Sequence, residues 1–125
     1  MANEALTQAL TECRARQYEN QREEQERLRK AIALQPRIGE LADDRREDIL
    51  RGLRLAMEGI NPEGVQERTR ERNLKIRELL KAAGLPEDYL SPVFQCHQCQ
   101  DSGYVGEAPK ALCQCVIRRY HALLS

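Results

Sequence analysis

The sequence predicts a mainly α-helical protein: a long antiparallel helical hairpin or bundle, followed by a small cysteine-rich β-hairpin and a short helix. Good helix formers (Ala, Leu, Glu, Arg and Gln) dominate residues 1–92. The chain has no tryptophan and one phenylalanine, so its helices can enclose only a thin core. Four of the five cysteines lie in the last quarter of the chain, namely Cys96, Cys99, Cys113 and Cys115.

Three helices are expected before the cysteines. The first covers about residues 4–34 and ends before Pro36, because a proline inside a helix costs about 3 kcal/mol. The second covers about residues 38–58, where apolar residues recur near the helical period. The third covers about residues 62–83, with Pro62 in its first turn. These helices make up a charged helical region that we place at residues 1–84.

The middle of the first helix is unusually polar. Residues 19–27 are nine polar or charged residues in a row, which no compact core would accept on a buried face. We therefore expect this stretch to project into solvent or to lie in a thin helical hairpin. Self-association through the first two helices fits this composition, but the heptads are too irregular to predict a coiled coil.

A short linker, residues 85–92, leads to a module at residues 93–125. Asp101, Ser102 and Gly103 are typical of a turn. The module is expected to form a hairpin with a short strand at 104–105, and residues 111–112 lead to the second cysteine pair. An amphipathic helix is expected at 116–124.

The cysteine spacing predicts one structural zinc ion. Two close pairs of cysteines are separated by thirteen residues, in a segment too small to fold on apolar burial alone. A zinc ion bound by four thiolates can contribute on the order of 10 kcal/mol to such a fold. No signal peptide is recognisable, so we expect a cytoplasmic protein whose thiols stay reduced. A redox Cys-x-x-Cys site would need a surrounding βαβ pattern, which is not seen.

The simplest ligand set is Cys96, Cys99, Cys113 and Cys115. Cys113 and Cys115 can both reach one ion only if the backbone bends between them, most simply at the start of a helix. His97 or His121 could replace one of the cysteines as a ligand. Cys13 follows Leu6 and Leu10 in the first helix and is expected to be a small apolar residue there.

Charge and motifs exclude several functions. The 20 basic and 20 acidic residues cancel, which argues against strong non-specific DNA binding. Phosphate-binding loops, dinucleotide-binding motifs and nucleophile elbows are not found, so neither an enzyme nor a small-molecule substrate is expected. No apolar stretch has the roughly 18 residues that span a membrane.

The candidate contacts to single-stranded nucleic acid are Tyr104, Lys110, Arg118 and Arg119.

A longer pattern extends beyond the cysteines: Leu85-Pro86-x-x-Tyr89-Leu90, then Cys96-x-x-Cys99-x-Asp101-Ser102-Gly103-Tyr104-Val105, then Cys113-x-Cys115. It resembles the region that precedes the ATPase domain in the bacterial DnaC/DnaI-like helicase loaders, a family that includes the IstB-like ATPases. The resemblance covers about residues 70–125.

The resemblance implies a function in DNA replication. In that family the N-terminal region engages the replicative DNA helicase, so this chain would be a zinc-binding, non-enzymatic docking domain of the primosome. The four cysteines would be the zinc ligands. The Walker motifs of the family are absent here, so the resemblance does not extend to ATPase activity. Two alternatives stay open: a zinc-dependent module that binds single-stranded nucleic acid, and a zinc-stapled structural or assembly protein.

Overall fold

The computed structural model describes residues 2–125 and has the predicted class of fold. It is mainly helical, with a two-stranded antiparallel sheet and a short helix close to its C-terminus. The elements are α1 (Ala2–Leu34), α2 (Arg37–Met57), α3 (Val65–Ala82), β1 (Tyr104–Val105), β2 (Ala111–Leu112) and α4 (Gln114–Leu124). None of the helices within residues 2–125 combines the length and the apolar character that crossing a bilayer requires.

The chain divides into two compact units. One combines the chain up to Gln25 with residues 92–125, and the other consists of residues 26–91. This division differs from the linear one suggested by the sequence, because the cysteine module packs on the first part of α1. The segment at 85–90 also differs from a bare linker, since Leu85, Tyr89 and Leu90 pack against the core of the second unit.

The second unit is built around the antiparallel pair α2 and α3. Its apolar core lies where α2 begins and α3 ends, and the end of α1 covers it. The buried members are Ala31, Ile38, Leu41, Ile76 and Leu80. The core residues of α2 and of α3 are spaced by three and four residues respectively, as an amphipathic helix pair requires.

A buried carboxylate joins α2 to α3 beyond this core. The side chain of Asp48 is 1% exposed and accepts hydrogen bonds from three guanidinium groups. Arg68 donates two of these bonds, at 2.8 and 2.9 Å, while Arg72 and Arg51 donate at 3.0 and 3.1 Å. The bonds from Arg68, opposed by burial, hold the pKa of Asp48 far below its ordinary value.

The start of α3 was predicted three residues too early. Pro62 lies in the connection between α2 and α3, and the helix begins at Val65. Gly64 has a φ of +77°, a left-handed conformation that interrupts any helix extending back to Pro62. At the other end, Gly84 follows the helix as expected, and the N–H of Leu85 donates to the carbonyl of Leu80 at 2.9 Å.

In the first unit, α1 and α4 approach each other through small residues. Ala9, Cys13 and Val116 are buried, and larger side chains such as Leu6 and Leu123 pack around them. Cys13 is therefore the apolar helix residue that the sequence predicted.

Of the two alternatives considered for the polar stretch at residues 19–27, projection into solvent does not hold at Asn20. This side chain is only 5% exposed, because its amide donates a hydrogen bond to buried Asp101. Glu24 also contacts the cysteine module, where its carboxylate accepts a hydrogen bond from the backbone N–H of Val93 at 3.0 Å. Polar side chains can line a packed face when their hydrogen bonds are satisfied there.

We expect Asp48→Asn to destabilise the second unit at neutral pH, because an amide cannot carry the charge that the three arginines surround. The folded pKa of Asp48 lies below its ordinary value of 3.8, so the stabilisation is complete above that pH and is lost as the pH falls. The stability of the variant should therefore decrease less than that of the wild type on acidification. Urea unfolding followed by circular dichroism, at about pH 7 and about pH 3, measures both effects.

Asp43→Asn is the matched control, because Asp43 and Arg46 form an ion pair in which both side chains are exposed. Such surface pairs contribute little to stability. Equal losses in the two variants would contradict the importance of the buried carboxylate.

Candidate metal centre

The four cysteines of the C-terminal module come together in space. Their sulfur atoms all lie within 4.8 Å of one another. The Cys96 and Cys113 sulfurs are 3.8 Å apart, and the Cys99 and Cys115 sulfurs are 3.6 Å apart. Zinc bound tetrahedrally by thiolates at about 2.3 Å separates its ligand sulfurs by about 3.8 Å. The donor set and its spacing therefore fit a metal ion bound by four thiolates.

The start of α4 supplies the bend that the second pair requires. Cys113 is extended, with φ −68° and ψ 150°, and caps the N-terminus of α4, while Cys115 lies in the first helical turn. The backbone thus changes direction between the two residues, so both sulfurs can point to one centre. The two histidines weighed as substitutes, His97 and His121, are exposed, and the cluster found among residues 2–125 consists of cysteines alone.

Burial and backbone donors act on the thiols in opposite directions. The backbone N–H of Cys99, together with that of Gln98, lowers the pKa of Cys96 to about 7. Desolvation raises the pKa of Cys99 and of Cys115. Because metal ions bind thiolates, binding must displace protons from the buried thiols.

A buried aspartate organises the turn that carries the first cysteine pair. The side chain of Asp101 is fully buried and accepts four hydrogen bonds. Two come from the backbone N–H groups of Gln95 and Cys96, at 2.8 and 3.0 Å, and two from the α1 side chains of Arg16 and Asn20, at 3.0 and 2.6 Å. Burial raises the pKa of Asp101, but these donors outweigh burial and hold the pKa below its usual range.

Arg16 places a permanent positive charge beside the sulfur cluster. Besides its bond to Asp101, its guanidinium donates to the Cys13 sulfur at 3.0 Å and lies 3.8 Å from the Cys115 sulfur. A divalent ion with four thiolates carries a net negative charge, which a neighbouring guanidinium stabilises.

Gly103 allows the turn to approach α1 closely. It is buried and has a φ of +88°, and a side chain there would bring its Cβ within 3.0 Å of Leu10 and 3.6 Å of the Cys13 sulfur. Its carbonyl accepts a hydrogen bond from the N–H of Cys113 at 2.9 Å, which joins the two cysteine pairs. Glycine therefore fits both the backbone conformation and the space.

The four residues considered for nucleic-acid contact are divided between the hairpin, which carries Tyr104 and Lys110, and α4, which carries Arg118 and Arg119. Arg119 on α4 forms two hydrogen bonds to the carboxylate of Glu12, at 2.6 and 2.9 Å, so its guanidinium is already engaged. Tyr104 lies on β1, Lys110 precedes β2 and Arg118 lies on α4, all of them exposed.

Sequence reasoning missed Asp101, Arg16 and Asn20 as parts of this centre. Asp101 was interpreted only as a turn residue, and the two α1 residues lie in a polar helix. Their spacing of four residues on one helix face is the signal that could have linked them to a common partner.

Comparison of the chain with protein-family models, curated proteins and solved structures found no match. The resemblance to the helicase loaders therefore stays a prediction.

We expect Asp101→Asn to weaken metal binding by the four cysteines by about 10- to 100-fold, because an amide cannot accept all four of the bonds that shape the cysteine turn. Glu107→Gln, an exposed loop substitution in the same module, removes the same charge and should leave the affinity unchanged. Competition with a chromophoric chelator measures both. Equal affinities of the two variants would show that the carboxylate does not support the centre.

Proposed function

We propose that the four cysteines bind one structural zinc ion per chain. The distances among the sulfurs support this proposal, as does the all-thiolate donor set, which suits zinc. Four cysteine ligands leave no open position for water or substrate, so the ion would hold the module together without catalysing a reaction. Bound there, it would join the turn at residues 96–102 to the start of α4.

We further propose that the chain is a non-enzymatic protein-interaction domain. The observation that carries this proposal is the four-thiol cluster. Because its thiolates would fill all four positions around an ion, the site is suited to a structural function. A structural metal centre fixes the fold of a small module, and the surfaces of that module can then contact a partner.

The partner that we propose is the replicative DNA helicase, in the cytoplasm. The support for this partner is the resemblance of residues 70–125 to the helicase loaders, which includes Leu85, Tyr89 and Leu90 as well as the cysteines. A purely structural or assembly function is the competing outcome in the experiments below.

Metal analysis of protein purified without chelator should give one zinc per chain. Cys99→Ser should lose the zinc, whereas Cys13→Ser should retain it, because Cys13 is buried but lies outside the cluster. Retention of zinc by Cys99→Ser would overturn the ligand assignment. Recovery of iron in place of zinc would overturn the choice of metal.

The zinc-loaded chain should co-elute with the replicative helicase of the same organism on a sizing column. The Cys99→Ser variant should bind less well, because its cysteine turn is no longer fixed. A folded, zinc-replete chain that elutes separately from the helicase would reject this partner and favour the assembly function.

A further inference from the structure

A groove runs between α2 and α3 in the second unit, beyond the part of the pair that the apolar core fills. Ile49, Leu53 and Val65 provide its apolar lining, together with Leu74 on the α3 side. Three of these side chains are exposed large hydrophobics: Ile49 is 38% exposed, Leu74 51% and Leu53 57%. The pair α2 and α3 thus presents apolar surface that no third element of this unit covers.

The floor of the groove holds an unsatisfied polar atom. The Oγ1 atom of Thr69 is buried and has no hydrogen-bond partner within residues 2–125. Buried hydroxyls are normally hydrogen-bonded, so an unpartnered hydroxyl in a lining residue is unusual.

The rim of the groove on α3 is basic. Arg70 and Arg77 line it on either side of Leu74, and within residues 2–125 neither forms an ion pair. Arg68 and Arg72, on the same helix, differ because both are engaged by Asp48. The acidic lining residue is Glu67, which lies at the opposite end of the groove near the start of α3.

We propose that this groove binds an amphipathic helix of a partner protein. The apolar stripe of the partner helix would lie on Ile49, Leu53, Val65 and Leu74, and its acidic residues would face Arg70 and Arg77. An apolar groove with a charged rim is the usual receptor for such a helix. The local charge argues against a symmetric dimer in which two grooves face each other, because Arg70 and Arg77 of each copy would then meet a lining whose acidic residue is Glu67.

This inference rests on the proposed interaction function and adds the chemistry of the partner. The positions of Arg70, Arg77 and Glu67 also predict the orientation of the bound helix along the groove. The acidic end of the bound helix would lie toward the C-terminal part of α3, away from Glu67.

The probe is a fluorescein-labelled helical peptide of about 20 residues, with leucines at i, i+3, i+4 and i+7 and glutamates along one flank of the stripe. A second peptide carries lysines in place of the glutamates. Fluorescence anisotropy with the full chain should detect binding of the acidic peptide, and affinity should fall as salt is added. The lysine peptide should bind at least about tenfold more weakly.

The double variant Arg70→Glu/Arg77→Glu should weaken binding of the acidic peptide by about tenfold or more. Arg14→Glu/Arg22→Glu is the matched control, since it makes the same charge change at exposed positions of α1. Both variants substitute exposed residues, and circular dichroism checks that they fold. Equal affinity for the two peptides, or equal effects of the two double variants, would overturn the proposal.

Sedimentation equilibrium tests the second copy as the occupant. A monomer is expected, whereas a dimer that Leu53→Asp dissociates would overturn the partner-helix proposal.

The co-elution experiment with the helicase distinguishes a failure of the groove proposal from a failure of the helicase proposal. Co-elution that survives Arg70→Glu/Arg77→Glu would keep the interaction function and reject this groove, while peptide binding without co-elution would keep the groove and reject the helicase.

Discussion

The carboxylate of Asp101 is the group on which the arrangement of the first unit depends. It is buried, and it binds the backbone just before and at Cys96 as well as two side chains of α1. A buried charge is tolerated only where donors surround it, so the turn and the helix stabilise the carboxylate together. The first part of α1 is consequently part of the scaffold of the cysteine cluster. The cysteine cluster therefore depends on residues of α1 as well as on the C-terminal module.

The two units both have a small apolar core, and they are stabilised in different ways. Each has few large aromatic side chains with which to build a thick core, and each contains a buried aspartate paired with arginine. In the second unit, the ion pairs of Asp48 extend the contact between α2 and α3 beyond the buried apolar core. In the first unit, small side chains such as Ala9 and Cys13 let the elements approach closely, and the sulfur atoms of four other cysteines come together. The overall charge balance of the sequence conceals this local pairing.

Local signals in the sequence were sufficient for the helices, the short strands and the cysteine cluster. Periodicity and spacing depend on neighbouring residues, and the bend required between Cys113 and Cys115 follows from strand geometry alone. The partners of Asp101 could not be predicted, because Arg16 and Asn20 lie 85 and 81 residues away in the chain. The burial of Asn20 could not be predicted for the same reason. The late start of α3 depends on the left-handed backbone of Gly64. The sequence favoured an earlier start, because Pro62 is a residue typical of a first helical turn.

The discontinuous first unit has a consequence for the order in which the protein can fold. The second unit is a single continuous segment, so its helices can pack as soon as that segment has left the ribosome. The early part of α1 must wait for the last 34 residues described here before its packing face is covered, because residues 92–125 supply that cover. Contacts between distant parts of a chain also form slowly. During synthesis, Cys13 and the apolar face around it are therefore exposed for longer than any residue of the second unit's core.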